Sequence, residues 1–166
     1  MRQESKAKYQ KLQELSTESG VISALAIDQR GSLRKMIASG GGVEDVQRAV
    51  EDFKIAISEE LTPYASSILL DTEYGLAEAA RRSIAAGLLL AYEETGYDAS
   101  EPGRLPDLLP EWSAYRLKEQ GADAVKFLLY YDVDEDEAIN ERKHAFVERI
   151  GSECEAEDIP FFLEIV

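Results

Sequence analysis

The stretch DAVKFLLYY, residues 123–131, is an apolar run that carries a single cation, Lys126, inside it. Four similar short runs occur elsewhere in the chain: VISALAID (21–28), SSILLD (66–71), GLLLAY (87–92) and PFFLEIV (160–166). Continuous apolar runs of this length, rich in branched residues, are typical of strands buried on both faces of a parallel sheet. We therefore predict five parallel strands.

Longer segments with helical spacing separate these runs. Residues 44–61 place Val46, Val50, Phe53, Ile57 and Leu61 three or four positions apart, which predicts one apolar stripe on a helix. Helices are also predicted at residues 33–38, 112–120 and 136–155, the last with Ile139, Phe146 and Ile150 toward the sheet. A helix at residues 5–18 precedes the first strand and is expected to close the bottom of a barrel. Residues 97–110, which contain three prolines, are predicted to form a long, functional loop.

The spacing between strands distinguishes two α/β architectures. It averages about 35 residues, close to the repeat of a (β/α)₈ TIM barrel. A doubly wound sheet shows the same alternation, but the first strand leads into DQRGS (28–32) and not into a glycine-rich phosphate loop. The run 160–166 is a core strand with no covering helix after it. We expect residues 1–166 to form a single domain, the N-terminal part of a TIM barrel through about strand five, with an extra N-terminal helix.

Composition excludes several kinds of partner. The formal net charge is -15, which disfavours binding to nucleic acid. No uncharged apolar run reaches the length of a membrane span, and the charged start MRQESKAKYQ lacks the apolar segment of a secretion signal. The one cysteine, Cys154, lies among acidic residues that raise a thiol pKa, and it is interpreted as structural. A cytoplasmic protein is expected.

Chemistry in a barrel sits where the strands end, so the charged residues there are the candidates. They are Asp28, Asp71 with Glu73, Glu93, Lys126 and Glu164. Lys126 and Glu164 are the strongest, because a charge inside an apolar strand is unfavourable unless it is paired or used. Burial lowers the pKa of a lysine and raises that of a carboxylate, which suits both groups to proton transfer.

Each candidate also has an interpretation without function. Lys126 and Glu164 could form an internal ion pair that only stabilises the barrel, and Asp28 could cap the helix that begins near Ser32. Asp71 and Glu73 could be capping or solvated carboxylates without a role in chemistry. Glu93 is expected to be a solvated loop acid. A metal site is not expected. His144 is the one histidine, and Lys126 would compete with a cation for the carboxylates.

Five segments resemble one known family, the class I tagatose 1,6-bisphosphate aldolases of Gram-positive lactose and galactose catabolism. They are SGVISALAIDQRGSLRKMI, LTPYASSILLDTEYG, GLLLAYEETGYD, RLPDLLPEWSAYRLKEQGADAVKFLLYYDVDEDEAINERK and ERIGSECEAEDIPFFLEIV. The strings ISALAIDQRG and GADAVKFLLYY are the most specific. The resemblance extends over nearly the whole chain.

This resemblance implies reversible cleavage of a ketohexose 1,6-bisphosphate to dihydroxyacetone phosphate and glyceraldehyde 3-phosphate. The family uses no metal or cofactor, and a lysine forms a Schiff base with the substrate. By position, Asp28 matches the family's active-site acid, Lys126 its strand-four lysine and Glu164 its general acid/base. Gln29 matches a substrate-binding position of the family, and the neighbouring Arg30 is a further substrate-binding candidate. The covalent lysine and the phosphate-binding loops are expected after Val166, so the 166 residues alone are expected to be inactive.

Two alternatives remain open on the sequence alone. A related barrel aldolase could act on a sulfo-sugar phosphate, or a regulatory paralogue could bind sugar phosphate and a transcription regulator without turnover. In each case a homo-oligomer is expected.

Overall fold

The computed structural model describes residues 5–94, 96–97 and 99–166, so Asp98 of the predicted loop lies outside the described residues. The strands are β1 Ala24–Ala26, β2 Ser67–Leu70, β3 Gly87–Ala91, β4 Ala124–Leu129 and β5 Phe161–Ile165. The helices are α1 Lys6–Glu14, α2 Gly31–Ser39, α3 Val46–Leu61, α4 Leu76–Ala79, α5 Ala114–Glu119 and α6 Glu137–Ala156, with a 3₁₀ turn at Thr62–Tyr64. Helix α4 was not predicted. No helix among the described residues combines the length and apolarity needed to cross a bilayer.

The five strands form one parallel sheet in the order β1-β2-β3-β4-β5. Each strand therefore pairs with the strands that precede and follow it in the chain. A doubly wound sheet reverses its strand order at a switch point, which this sheet does not do. Consecutive order is the topology of a barrel, and the parallel direction brings the carboxyl ends of all five strands to one edge.

The two faces of the sheet have different partners. On the outer face, Ile68, Leu88, Val125 and Phe127 pack in the main core, which also contains Leu117, Ile150 and Cys154 of the helices. On the inner face, Leu69, Leu89, Ala124 and Phe162 form a second cluster around Leu15, which follows α1. Alternate residues of a strand point to opposite faces, so Ala124 and Lys126 share the inner face, as do Phe162 and Glu164.

Helix α1 lies at the amino ends of the strands. Leu15 is fully buried in the inner cluster, and a Cβ on Gly87, the first residue of β3, would lie 2.7 Å from the Glu14 carbonyl oxygen. Lys11 Nζ is 2.5 Å from Asp123 Oδ1, just before β4. The chain thus closes this end of the inner face and leaves the carboxyl end for a site.

The predicted buried faces of two helices need correction. In α3 the buried residues are Val50, Lys54 and Ser58, while Phe53 and Leu61 are exposed. The buried residues of α3 are four positions apart. Lys54 is one of them because its side chain forms an ion pair with Asp71 beneath the helix. In α6 Ile150 is buried as predicted, and Ile139 and Phe146 are half-buried. Lys143 is also buried, and its Nζ lies 5.9 Å from the centre of the Tyr131 ring.

Candidate active site

A cavity of about 230 Å³ opens at the carboxyl edge of the sheet. Its walls come from the ends of four strands and from the turns that follow them. The lining residues are Asp28, Gln29, Arg30, Ser32, Glu93, Glu94, Gly96, Tyr97, Lys126, Leu128, Tyr130 and Glu164. All five residues predicted as catalytic or substrate-binding lie among them.

Lys126 is the centre of this cavity. Its Nζ lies 2.8 Å from Asp28 Oδ2, 2.9 Å from Glu93 Oε1 and 2.9 Å from Glu164 Oε2. The ammonium donates hydrogen bonds to Asp28 and Glu93, and Glu164 completes the cluster as an ion pair. The structure therefore brings Asp28, Lys126 and Glu164 into one cluster and adds Glu93.

The three carboxylates differ in their contact with solvent. The side chain of Glu93 is 6% exposed, that of Asp28 20% and that of Glu164 51%. In the register of the sheet, Glu164 lies opposite Leu128, two residues beyond Lys126 toward the carboxyl edge. Glu164 is thus the most accessible of the three acids to a molecule in the cavity.

The charge state of Lys126 differs from the simple expectation for a buried lysine. Burial by itself lowers the pKa of Lys126, but the negative charges of Glu93 and Asp28 and their hydrogen bonds outweigh it. The resulting pKa lies above the ordinary value of 10.5. Lys126 is therefore a stable cation, and an ammonium group has no lone pair with which to attack a carbonyl.

Glu93 was wrongly predicted to be a solvated loop acid. It is buried, its Oε1 accepts from Lys126, and its Oε2 accepts from the backbone N–H of Leu128 at 3.1 Å. The signal that could have found it is the two-residue period of β3, since Leu89, Ala91 and Glu93 point to the same inner face. A loop keeps Glu93 in place, because Glu93 forms an isolated antiparallel bridge with Leu108.

Asp28 does not cap the following helix. Helix α2 begins at Gly31 with Arg30 as its N-cap residue, and no side chain caps it. Asp28 instead contacts Lys126, as described above. Its capping interpretation is therefore excluded.

Arg30 and Gln29 occupy different positions in the cavity wall. Arg30 is buried, and its Nη2 donates to the backbone carbonyl of Glu93 at 2.8 Å. Among the described residues its Nε has no hydrogen-bond partner. Gln29 is exposed at the rim. Together with the uncapped first turn of α2, Arg30 makes this side of the cavity electropositive.

Asp71, another strand-end candidate, does not line the cavity. It is fully buried in an ion pair with Lys54 of α3, and its Oδ1 accepts from the backbone N–H groups of Glu73 and Tyr74. Lys54 also donates to the Ile27 carbonyl at 2.9 Å, the residue before Asp28. Sequence reasoning missed Lys54 because it lies off the apolar stripe of its helix.

The described residues contain no group of three or more His, Cys, Asp or Glu side chains arranged to hold a metal ion. The centre of the carboxylate cluster is occupied by the Lys126 ammonium. His144, which is exposed on α6, instead contacts the Tyr131 hydroxyl at 2.9 Å.

The fold and the placement of the cavity define a barrel protein with its site at the carboxyl ends of the strands. Two solved structures share this fold. A protein from Corynebacterium glutamicum aligns with a TM-score of 0.59 at 16% identity, over 95% of this chain and 53% of that one. A Schiff base forming fructose-1,6-bisphosphate aldolase aligns with a TM-score of 0.55 at 17% identity, over 94% and 56%. The predicted fold, the first five strands of a TIM barrel, is confirmed.

The chain belongs to the DeoC/LacD family of aldolases, whose sequence pattern matches residues 22–166. It is 66% identical over 152 residues to tagatose 1,6-diphosphate aldolase 2 of Enterococcus faecalis, covering 92% of this chain and 46% of that protein. It is 62% identical over 155 residues to tagatose 1,6-diphosphate aldolase 1 of Streptococcus mutans, covering 93% and 48%. The chain thus spans about half the length of the curated relatives it matches. The resemblance noted in the sequence is confirmed.

Proposed function

We propose that this chain supplies the N-terminal half of the active site of a class I aldolase that cleaves tagatose 1,6-bisphosphate. The observation that carries the proposal is the cluster of Lys126, Asp28 and Glu164 at the mouth of a barrel whose family is that of aldolases. The products are dihydroxyacetone phosphate and glyceraldehyde 3-phosphate. Relatives 62–66% identical to the chain carry the name of this activity, which favours it over the sulfo-sugar and regulatory alternatives.

The chemistry requires a neutral amine that adds to the substrate carbonyl with loss of water. Lys126 is the one lysine that lines the cavity among the described residues, and its carboxylate partners hold it protonated. The covalent lysine is therefore proposed to come from a following strand, as the family resemblance implies. The cation of Lys126 would lower the pKa of that amine and orient substrate hydroxyls.

Glu164 is proposed to move the protons. When the iminium draws in the electron pair of the C3–C4 bond, a base must take the proton of the C4 hydroxyl, and an acid must later protonate C3 of the enamine. Glu164 is the most exposed acid of the Lys126 cluster, which favours it for both proton transfers. Asp28, which hydrogen-bonds to Lys126, is proposed to hold the ammonium and the substrate in position.

Gln29 and Arg30 are proposed to bind the substrate. A bisphosphate brings two anionic groups to a cavity that already contains several carboxylates. The electropositive side formed by Arg30 and the uncapped start of α2 suits a phosphate group, since helix N-termini and guanidinium groups both bind phosphate. Gln29 at the rim is placed to contact a sugar hydroxyl. A cytoplasmic homo-oligomer remains part of the proposal.

A chimeric enzyme tests this function directly. Residues 1–166 would replace the matching half of tagatose 1,6-diphosphate aldolase 2 of Enterococcus faecalis, and cleavage of tagatose 1,6-bisphosphate would be measured. We expect kcat/KM within about tenfold of the unmodified Enterococcus enzyme. A folded chimera that binds the substrate but does not cleave it would contradict the proposal and favour the regulatory alternative.

A further inference from the structure

We propose that Glu93 is the positioning residue of this site: it fixes Lys126 and the end of β4 in place but does not itself contact substrate. The expected effect of Glu93 on turnover rests on the proposed function. The hydrogen bonds of its buried carboxylate do not depend on that function.

Each oxygen of the Glu93 carboxylate accepts a hydrogen bond from the protein. Oε1 accepts from Lys126 Nζ at 2.9 Å and Oε2 accepts from the Leu128 N–H at 3.1 Å. Both oxygens are thus engaged by the protein, and the side chain is 6% exposed. Asp28 and Glu164 each contact Lys126 through one oxygen and are more exposed. Although Glu93 lines the cavity, both of its carboxylate oxygens already have protein donors, so Asp28 and Glu164 are the acids better placed to receive a ligand.

Glu93 also connects several structural elements. Its side chain links the end of β3 to two positions of β4, Lys126 and Leu128. Its backbone carbonyl accepts from Arg30, and it bridges to Leu108 of the returning loop. Loss of this carboxylate would release the ammonium of Lys126 on its buried side and leave the Leu128 N–H without its acceptor.

Glu93 also differs from the other acids in its electrostatic surroundings. The charged groups that face Lys126 are Asp28 after β1, Glu93 after β3 and Glu164 in β5. Of these, Glu93 lies in the least solvated surroundings, where a charge acts most strongly on a neighbour. It therefore acts on the Lys126 ammonium from the buried side, away from the solvent that reaches Glu164.

Glu93→Gln in the chimeric enzyme is the first test. Glutamine retains one acceptor oxygen but cannot serve both Lys126 and Leu128. We expect kcat to fall by about tenfold to 10²-fold with KM changed less than about threefold, because the group acts on the reacting geometry and not on binding. Glu78→Gln is the matched control, since Glu78 is equally buried but lies outside the cavity. Equal losses in both variants would indicate general destabilisation and overturn the assignment.

A double-variant cycle separates positioning from an independent role. If Glu93 acts mainly through Lys126, Glu93→Gln should lower kcat much less in a Lys126→Met background than in the unmodified chimera, because only the Leu128 contact is then left to lose. Multiplicative losses would show that Glu93 acts on its own and would overturn the proposal.

A measurement without turnover keeps this inference separable from the proposed function. In the ¹⁵N-lysine-labelled chimera, the Lys126 ammonium should give a protected N–H signal that weakens or shifts in Glu93→Gln and persists in Glu78→Gln. An unchanged signal in Glu93→Gln would refute the positioning role even in an active enzyme. If the chimera proved inactive, the proposed function would fail while this spectrum still decided the role of Glu93.

Discussion

At the scale of single residues, the site is a lysine surrounded by acids of graded exposure. Lys126 forms ion pairs with Glu93, which is buried, with Asp28, which is partly exposed, and with Glu164, which is the most exposed. This gradient in exposure supports the proposal that the three acids have different roles. The raised pKa of Lys126 supports the proposal that the covalent amine is a different lysine.

The residue-scale prediction concerns Glu164. Glu164→Gln in the chimeric enzyme should lower kcat by about 10²-fold or more and change KM much less, because the amide keeps the contacts but cannot transfer a proton. Steady-state kinetics on tagatose 1,6-bisphosphate provide the measurement. Glu111→Gln, an exposed change outside the site cavity, is the control. An unchanged kcat for Glu164→Gln would remove it from the mechanism.

At the scale of elements, α3 and α6 hold the sheet through residues that their apolar patterns do not reveal. Lys54 reaches from α3 to Asp71 after β2 and to the Ile27 carbonyl, one residue before Asp28. Cys154 of α6 is part of the main core against the outer face of the sheet. The Lys54 contacts support the carboxyl strand ends from outside the cavity, whereas Cys154 packs against the outer face of the sheet.

Lys54→Met should strongly destabilise the barrel, because it leaves the Asp71 carboxylate buried without its cation. We expect the free energy of unfolding to fall by about 3–5 kcal/mol. Adding Asp71→Asn, which retains the acceptor oxygen for Glu73 and Tyr74, should restore a large part of the loss. Urea denaturation of the chimera measures both, with the exposed Lys35→Met as control. A small effect of Lys54→Met would show that the pair contributes little.

The thiol of Cys154 provides a second element-scale prediction. Burial, aided by the negative charge of Glu153, raises the pKa of Cys154 to about 12. At pH 8 the thiolate fraction is then about 10³-fold below that of a free cysteine, so disulfide reagents should react correspondingly slowly. The rate should rise toward pH 12 and also on unfolding in urea. Rapid labelling of the folded chimera at pH 8 would contradict the packing of α6.

At the scale of the whole molecule, the 166 residues form an open, curved sheet. Among the described residues β1 pairs only with β2 and β5 only with β4, so each outer strand has an edge of unpaired backbone groups. Leu163, Ile165 and Val166 of this region are 37%, 61% and 61% exposed. Apolar side chains beside an open strand edge favour association with another chain.

The isolated 166-residue polypeptide is therefore expected to self-associate and to bind hydrophobic dye. It should also lack turnover and form no borohydride-trapped adduct with dihydroxyacetone phosphate, since the one lysine that lines the cavity among the described residues is held protonated. Light scattering and dye fluorescence test the first expectation, and mass spectrometry after borohydride tests the second. The chimera serves as the closed-barrel control. A monomer with a cooperative unfolding transition and aldolase activity would contradict both.

The sequence by itself determined the five strands, their barrel order and the approach of Asp28, Lys126 and Glu164. These follow from short-range patterns: apolar runs of strand length, helical spacing between them, and charges placed on the inner side of parallel strands. The carboxyl ends of parallel barrel strands meet at one edge, so the proximity of these three residues could be predicted without distance information. The family resemblance supplied the proposed roles.

Only the tertiary structure decided which of the remaining charged residues belong to the site. Glu93 and Asp71 both follow apolar strands. Glu93 joins the carboxylates around Lys126, whereas Asp71 forms a buried ion pair with Lys54 away from the cavity. The charge state of Lys126 depended likewise on the number of carboxylates that reach it. The reason is that these outcomes depend on partners from distant segments, and electrostatic free energy in a buried site is set by distances that a sequence pattern does not contain.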